Sequence, residues 1–210
     1  MSTLLKIDVS PRSEEHSISR RLSAQFAQEW KDAHRGGDVI ERDLATTHLP
    51  FLELPWITGV YSDPASHDQA QRDALSIGDE LIAELDAADE WVIATPMYNF
   101  AVPAKLKAYI DHVVRSGRTF RVSSEGIPEG LLKGKKATVI ISSAGEFYEG
   151  APMEAMDSEK PYLRTILGFI GVTDITFIQA GGTWKVDRAL QGREDYLSSF
   201  TGQVATAARE

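Results

Sequence analysis

The chain has 210 residues, of which 42% are hydrophobic, and this length and composition suit one domain with a substantial core. It contains no cysteine, which excludes disulfides, thiolate nucleophiles, iron–sulfur clusters and cysteine-ligated zinc. The formal net charge of -9 argues against general nucleic-acid binding, because a phosphate backbone requires a basic protein face.

The N-terminal segment MSTLLKIDVS predicts a first strand rather than a leader peptide. Its apolar residues suit a strand and follow no basic cluster: Leu4, Leu5, Ile7 and Val9. No run in the chain approaches the roughly 18 apolar residues of a membrane span. We therefore expect a cytoplasmic protein that has neither a membrane nor a nucleic acid as its partner.

A polar segment, PRSEEHSIS, then leads into a predicted helix over SRRLSAQFAQEWKDAH. The helix has one apolar stripe, formed by residues that recur every four positions: Ile18, Leu22, Phe26 and Trp30. A strand, a hydroxyl-bearing loop and a helix in this order begin a βαβ unit. Gly36 and Gly37 end the helix, and Asp38–Leu44 predicts a second strand.

Residues 45–64 form a long and unusually apolar connection between the second strand and a helix predicted over residues 65–88. Its apolar residues are Leu49, Phe51, Leu52, Leu54, Trp56, Ile57, Val60 and Tyr61. So much apolar surface on a connection must pack against something. The alternatives are a cover for a ligand, a contact between subunits, or both.

Trp91–Ala94 form a short apolar run that predicts a central strand buried on both faces of a parallel sheet. Pro96 ends the strand, because proline has no N–H to donate. A loop with Met97, Tyr98, Asn99 and Phe100 follows, and the next helix is predicted to begin near Ala101, with Pro103 in its first turn. Ligands bind at this end of the strands in open α/β sheets.

The rest of the chain continues the alternation of strands and helices. Gly117–Gly126 predicts one hairpin, and Gly130–Lys136 predicts a basic turn. Residues 137–142 and 173–180 predict two further strands, with a helix over 160–170 between them and a closing helix over 186–207. Five strands without a Gly-rich dinucleotide fingerprint predict a flavodoxin-like, doubly wound parallel sheet of order 2-1-3-4-5, with helices on both faces.

Serines cluster where the first helix begins: Ser10, Ser13, Ser17 and Ser19. The free N–H groups and the positive dipole end of a helix attract an anion, and serine hydroxyls add donors. The segment lacks the Gly-Lys-Ser/Thr of a Walker loop, so a monophosphate suits it better than a nucleoside triphosphate. The alternatives are that Ser17 or Ser19 is only an N-cap and that Arg12 is solvated rather than paired with the phosphate.

Two further loops would hold a planar ring. Pro96–Phe100 and the exit Ser142–Gly145, which contains Ser143 and Ala144, follow adjacent strands of the predicted order. A ring between them would rest its face on side chains and its edge on backbone amides, and Gly145 permits close approach. Considered singly, Met97, Tyr98 and Phe100 could simply cap the core, and Ser142–Gly145 could be an ordinary strand exit. Together with the serine-rich segment that would bind a phosphate, the two loops describe a flavin mononucleotide (FMN) site.

Four motifs carry a family resemblance over nearly the whole chain: SPR followed by SIS, TPMYNF with VPAKLKAYID, GRTF, and PYLRTILGFIG. The chain resembles the FMN-dependent NADH:azo-dye and quinone oxidoreductases, the bacterial azoreductase family. The resemblance implies one flavodoxin-like FMN-binding domain over residues 1–210. It implies FMN contacts at Ser10, Ser17, Ile18, Ser19, Pro96, Met97, Tyr98, Asn99, Phe100, Ser142, Ser143, Ala144 and Gly145.

The resemblance also implies the reaction and the assembly. Hydride would pass from NADH, or from NADPH, through the flavin to a quinone or an azo compound by a ping-pong mechanism, without a catalytic side chain. The enzyme would be a homodimer with its flavin sites at the interface, and Phe120 and Tyr61 would line the substrate pocket. The exit loop reads Ser-Ser-Ala-Gly where many relatives have Ser-Arg-Gly-Gly, so any role of that arginine is absent here.

The five histidines show no metal-ligand spacing such as His-Glu-x-x-His, so we expect no metal and only surface or packing roles for them. Two other function classes compete with the enzyme. A flavodoxin-like carrier would pass single electrons to a protein partner and would suit the acidic surface, although the chain lacks the Thr-x-Thr-Gly-x-Thr loop of flavodoxins. A flavin-free interaction domain would bind no FMN at all.

Overall fold

The computed structural model describes residues 2–210, and Met1 lies outside the described residues. The strands are β1 (Thr3–Asp8), β2 (Asp38–Asp43), β3 (Glu90–Pro96), β4 (Phe120–Val122), β5 (Pro128–Gly130), β6 (Lys136–Ser142) and β7 (Asp174–Ala180). The helices are α1 (Ile18–Ala33), α2 (Leu54–Val60), α3 (Gln69–Ala87), α4 (Ala104–Val113), α5 (Glu159–Ile170), α6 (Trp184–Asp187), α7 (Arg193–Ser198) and α8 (Thr201–Arg209).

Five strands form one parallel sheet in the order β2-β1-β3-β6-β7, which confirms the predicted order of the main strands. The pairing is in register at the carboxyl ends. Asp8 lies opposite Ala94, Pro96 opposite Ser142, and Ser142 opposite Ala180. The loops that leave these strands therefore start together along one side of the sheet, which we call the carboxyl edge.

Both faces of the sheet are covered, as predicted. On one face, Phe26 and Trp30 of α1 and Val204 of α8 pack against residues such as Val92 and Ile140. On the other face, α3, α4 and α5 pack through Leu81, Leu106, Leu163 and their neighbours. Because successive strand residues point to opposite faces, a strand covered on both sides reads as a continuous apolar run. This is the pattern that Trp91–Ala94 showed in the sequence.

The connection over residues 45–64 contains a helix, α2, that the sequence analysis did not predict. Pro55 falls in the first turn of this helix, where its missing N–H costs nothing. The inner face of α2 packs on α3, where a Cβ on Gly59 would come within 2.9 Å of Leu75. The buried ring of Trp56 meets His112 of α4 edge-on.

Three predicted boundaries were wrong. Helix α4 begins at Ala104 with Pro103 as its N-cap, because Ala101 still belongs to the preceding turn. The closing helix over 186–207 is three shorter helices, α6 to α8, and Ala189 between the first two has a positive φ of 54°. The hairpin predicted over Gly117–Gly126 is formed by β4 and β5, and it therefore extends to Gly130. Within residues 2–210, no helix combines the length and the apolar character needed to cross a membrane.

Glu159, the first residue of α5, is an acid buried inside the fold, with 0% exposure. Its Oε1 lies 3.0 Å from Thr95 Oγ1 at the end of β3, and its Oε2 has no hydrogen-bond partner among the described residues. Burial raises the pKa of Glu159 to about 9, and the like charge of Asp157 adds to the effect, while the Thr95 hydroxyl opposes it because it can donate to the ionised carboxylate.

We expect this burial to make the protein less stable as pH rises. Between the ordinary pKa of 4.5 and the folded pKa of about 9, the folded state binds a proton that the unfolded state releases. The contribution of Glu159 to the free energy of unfolding is therefore greatest below pH 4.5. Between pH 4.5 and about pH 9, it falls by up to about 1.4 kcal/mol per pH unit.

Denaturant unfolding at several pH values, with wild type and Glu159→Gln compared, measures this contribution. The glutamine variant keeps the shape but cannot titrate, so its stability relative to wild type should rise by roughly 2.7 kcal/mol between about pH 5.5 and pH 7.5. Parallel stability curves for the two proteins would contradict the assignment of a neutral acid.

Candidate functional site

A cleft of about 260 Å³ opens at the carboxyl edge of the sheet. Its walls come from the loops that follow β1, β3, β6 and β7. The lining residues are Ser10, Arg12, His16, Ser17, Ile18, Pro96, Met97, Tyr98, Ser142, Ser143, Ala144, Thr183, Val186, Asp187 and Arg193. The cleft therefore lies where the sequence analysis expected a ligand, and the register of the parallel strands explains why these loops meet.

One end of the cleft is rich in hydroxyl donors, and we call it the phosphate end. Ser10 and Ser17 are buried, and the N–H groups of Ile18 and Ser19 belong to the first turn of α1, where no intrahelical acceptor exists. Ser17 is the N-cap of α1, and its Oγ accepts from Arg20 N at 3.4 Å. Ser17 is therefore an N-cap that also lines the cleft, and its contact with a phosphate stays a prediction.

Ser19 has a different position from the one predicted for a direct contact. It is fully buried, does not line the cleft, and places its Oγ 3.2 Å from Ser17 Oγ. Its hydroxyl therefore orients the neighbouring serine, while its backbone N–H remains part of the helix terminus. The sequence pattern could not separate these two roles, because the two serines flank Ile18, the first residue of the apolar stripe.

Arg20 holds the loop after β1 in place. Its guanidinium donates to the carbonyl oxygen of Ser10 through Nε at 2.8 Å and Nη2 at 2.5 Å, and it pairs with Asp43 Oδ1 at 2.6 Å. Burial by itself would raise the pKa of Asp43, but the hydrogen bond from Arg20 holds it below its ordinary range. Asp8, which accepts from Ser23 at 2.7 Å, faces the same guanidinium at 3.7 Å.

Two arginines and a histidine lie at the mouth of the phosphate end. Arg12, His16 and Arg193 all line the cleft. Arg12 Nη1 lies 3.8 Å from Asp187 Oδ1, so this arginine faces the cleft wall and is also 62% exposed at its side chain. Arg12 thus has features of both alternatives, since its side chain is largely exposed and also lines the cleft, and its pairing with a phosphate stays a prediction.

At the other end, the loop after β3 forms a tight reverse turn, the aromatic turn (Tyr98–Ala101). Tyr98 N donates to Ala101 O at 3.0 Å, and Ala101 N donates back to Tyr98 O at 3.1 Å. Asn99 and Phe100 both have positive φ, 50° and 69°, which is the pattern of a type I′ turn. The turn directs Tyr98 toward the cleft and Phe100 away from it, against the ring of Phe147.

Pro96 and Met97 complete this side of the cleft, whereas Asn99 and Phe100 do not line it. Met97 N donates to Ser142 O at 2.8 Å, so the ladder between β3 and β6 continues into the site. Ser142, Ser143 and Ala144 line the facing wall. A flat apolar group would therefore lie between Met97 and Tyr98 on one side and small residues on the other.

Gly145 does not line the cleft, and its small size serves packing. A Cβ at this position would come within 2.8 Å of the Phe147 ring and 3.0 Å of Met153 Sδ. Its carbonyl oxygen accepts from Ser143 Oγ at 2.9 Å and from Gly182 N at 3.0 Å. Gly145 therefore joins the loops after β6 and β7, and its contact with FMN stays a prediction.

The two residues predicted for a substrate pocket lie away from the cleft of the single chain. Phe120 begins β4, and its ring packs 4.7 Å from the ring of Phe169. Tyr61 follows α2 and is 81% exposed. Neither side chain meets the cleft within one chain, so their roles stay predictions that depend on assembly.

Several lining residues were not among those predicted from the sequence: His16, Thr183, Val186, Asp187 and Arg193. His16 was assigned a surface or packing role. The other four follow β7, the last strand of the sheet. Gly181 and Gly182 after that strand were an available signal, because the exit of any parallel strand belongs to the carboxyl edge.

The arrangement suits FMN by its donor chemistry. The phosphate end offers serine hydroxyls, a helix N-terminus and arginine, which together bind a dianion without a metal. The opposite end offers a thioether, an aromatic ring and backbone amides for a flat heterocycle. A group that combines a flat ring with one terminal phosphate matches both ends.

Comparisons with known proteins agree with this geometry. Residues 2–203 match the model of the flavodoxin-like fold family. The chain is 43% identical to FMN-dependent NADH:quinone oxidoreductase 8 of Burkholderia lata over 99% of this chain and 97% of that one. It is also 43% identical to the FMN-dependent NADH:quinone oxidoreductase of Acidobacterium capsulatum, over 99% and 100% of the two chains.

Solved structures show the same likeness. The azoreductase from Bacillus anthracis str. Sterne superposes with a TM-score of 0.87 at 27% identity and covers 100% of this chain and 99% of its own. In each of these comparisons, the similarity extends over nearly the full length of both chains. The chain belongs to the flavodoxin-like family of FMN-dependent NADH:quinone oxidoreductases.

Proposed function

We propose that this protein is an FMN-dependent NADH:quinone oxidoreductase that also reduces aromatic azo compounds by a ping-pong mechanism. The observation that carries the proposal is the cleft at the carboxyl edge, which combines a phosphate end with a flat apolar end. FMN, when bound, supplies the hydride chemistry that links the nicotinamide to the acceptor. One domain over residues 1–210 would hold the whole site.

The phosphate end would anchor the cofactor. Ser10 and Ser17 hydroxyls and the first N–H groups of α1, at Ile18 and Ser19, would donate to the phosphate oxygens. Arg12 at the mouth would add charge that water screens in part. Arg20 would act indirectly, because it fixes the Ser10 carbonyl and with it the path of the loop.

The aromatic turn and the exit of β6 would orient the ring. Pro96, Met97 and Tyr98 would cover one side, and backbone amides near Ser143 and Ala144 would meet the polar edge. Donors at that edge stabilise negative charge that develops on the ring, which is the electrostatic part of the catalysis. We assign no side chain as a nucleophile or as an obligate general acid.

The nicotinamide and the quinone would use the same open position in turn, which is the origin of ping-pong kinetics. The relatives carry NADH in their names, and NADH is the donor that we propose; NADPH is the alternative donor. Quinones are the proposed natural class of acceptor, and azo compounds share the planar, electron-poor character that such a position accepts. We propose that the reaction takes place in the cytoplasm.

We also propose that the protein is a homodimer whose second subunit completes each active site. Apolar side chains recur on the outer face of α2 and beside it: Phe51 is 78% exposed, Leu54 71%, Ile57 46% and Tyr61 81%. A contiguous apolar patch of this kind is typical of a protein–protein contact. In such a dimer, Tyr61 and Phe120 would line the substrate pocket.

The first prediction concerns turnover. The purified protein with FMN should oxidise NADH with a benzoquinone as acceptor, in the absence of any protein partner, and double-reciprocal plots at several quinone concentrations should be parallel. A flavin-loaded protein without turnover would instead support the electron carrier. A protein that stays colourless after FMN is added would support the flavin-free interaction domain.

The second prediction concerns Arg20. Arg20→Gln should weaken FMN binding by at least about tenfold, because the loop after β1 loses two charge-assisted hydrogen bonds. Arg21→Gln is the matched control, since Arg21 is the next residue of α1 and pairs with the exposed Glu194. Titration of flavin fluorescence measures both dissociation constants, and equal constants for the two variants would contradict the role of Arg20.

The third prediction concerns the dimer. Leu54→Glu should convert the dimer to a monomer, because a charge in the apolar patch loses its solvation on assembly. Leu190→Glu is the matched control, since Leu190 is 68% exposed and lies far along the chain, between α6 and α7. Size-exclusion chromatography with light scattering gives the masses; a wild type that is monomeric at micromolar concentration would contradict the assembly.

A further inference from the structure

The aromatic turn has a backbone shape that its own residues do not favour. Both central residues of the turn have positive φ, and the second of them is the bulky Phe100 at 69°. Asparagine tolerates the left-handed region, but an aromatic side chain there is costly and persists only when its surroundings impose it. The structure must therefore contain contacts that hold this turn in shape.

Two consecutive residues at the start of α5 supply those contacts. Ser158 N donates to Phe100 O at 2.9 Å, at the far side of the turn. Glu159 Oε1 lies 3.0 Å from Thr95 Oγ1, on the strand residue that precedes Pro96. The start of α5 therefore clamps the segment 95–100 at both of its ends, and Pro96, Met97 and Tyr98 between these ends line the cleft.

The hydrogen-bond pattern at Thr95 is consistent when Glu159 is a neutral acid. Thr95 Oγ1 lies 3.0 Å from Glu159 Oε1 and 3.2 Å from Pro96 O, and its single hydroxyl hydrogen serves only one of these acceptors. A protonated Glu159 donates to Thr95, and Thr95 then donates to the carbonyl of Pro96. This chain of bonds runs from the interior of the protein to the backbone that forms the cleft wall.

We propose that Glu159 is a positioning residue for the cofactor: as a neutral hydrogen-bonded acid, it holds the segment 95–100 in the shape that receives the flavin ring. The inference rests on the proposed function, because it assumes that the cleft binds FMN. Glu159 does not line the cleft and acts only through Thr95, so it is not a catalytic residue.

The surroundings of Glu159 keep it neutral. It is fully buried, and Asp157, on its own helix end, is the charged side chain that acts on its pKa, as a like charge. Lys160, the next residue, directs its Nζ to Gln179 on β7 at 3.0 Å, and Gln179 in turn donates to Asp157. Because burial raises the pKa of Glu159 to about 9, the clamp is intact at neutral pH and weakens above pH 9.

The test is FMN binding by wild type, Glu159→Ala, Glu159→Gln and Thr95→Val, each as the full chain, titrated at pH 7 and pH 10. The expected result is a dissociation constant at least about tenfold higher for Glu159→Ala and Thr95→Val, and within about threefold of wild type for Glu159→Gln, whose amide also donates to Thr95. From pH 7 to pH 10, wild type should lose more affinity than Glu159→Gln, which corrects for titration of the flavin itself.

Thermal unfolding of each protein without FMN separates positioning from folding. Thr95→Val keeps the shape of a buried residue, so it tests the clamp even where Glu159→Ala does not fold. Equal FMN affinity for wild type and both disruptive variants, or a Glu159→Gln variant that binds as poorly as Glu159→Ala, would overturn the inference. A wild type that binds no FMN would overturn the proposed function instead.

Discussion

The parallel register of β1, β3, β6 and β7 is the constraint on which the rest of the molecule depends. Because paired residues such as Pro96, Ser142 and Ala180 lie level with one another, the loops after these strands start along one line. Strand register alone therefore brings the hydroxyl donors of one loop close to the aromatic turn of another. A shift of one residue in any pairing would turn the strand's side chains to the opposite face and separate the loops.

Around the cleft, the structure combines favourable core packing with groups that are individually unfavourable. The sheet is covered on both faces by apolar helices, which supply most of the stability. The left-handed Phe100 and the buried carboxyl of Glu159 both reduce it. These two residues are connected through the start of α5, so the unfavourable groups are concentrated at the wall where the proposed cofactor lies.

The sequence predicted the fold because apolar runs and helical stripes are local signals. Trp91–Ala94 marked a central strand, and the recurrence of Ile18 to Trp30 marked α1, both of which the structure confirms. Helix α2 was missed because Pro55 reads as a breaker until its position in the first turn is known. The break between α6 and α7 was missed because Ala189 carries no signal of a positive φ.

The candidate site was predictable where residues lie at or just past the carboxyl end of a strand, as Ser10, Met97 and Ser142 do. It was less predictable where tertiary packing decides which way a side chain points. Asn99, Phe100 and Gly145 stand in the same motifs as lining residues, yet they do not line the cleft. Phe100 packs against the Phe147 ring, and a Cβ at Gly145 would meet the same ring. Glu159 carried no signal at all, because an acid at the start of a helix is ordinarily an exposed residue that favours the dipole.

The two faces of α2 differ in their contacts. Its inner side is fixed by Gly59 against Leu75 and by Trp56 against His112, and His112 Nε2 lies 2.9 Å from the carbonyl of Pro50 just before the helix. The outer side makes none of these contacts. Substitutions on the outer side can therefore alter the proposed subunit contact without disturbing the packing of α2 on α3 and α4.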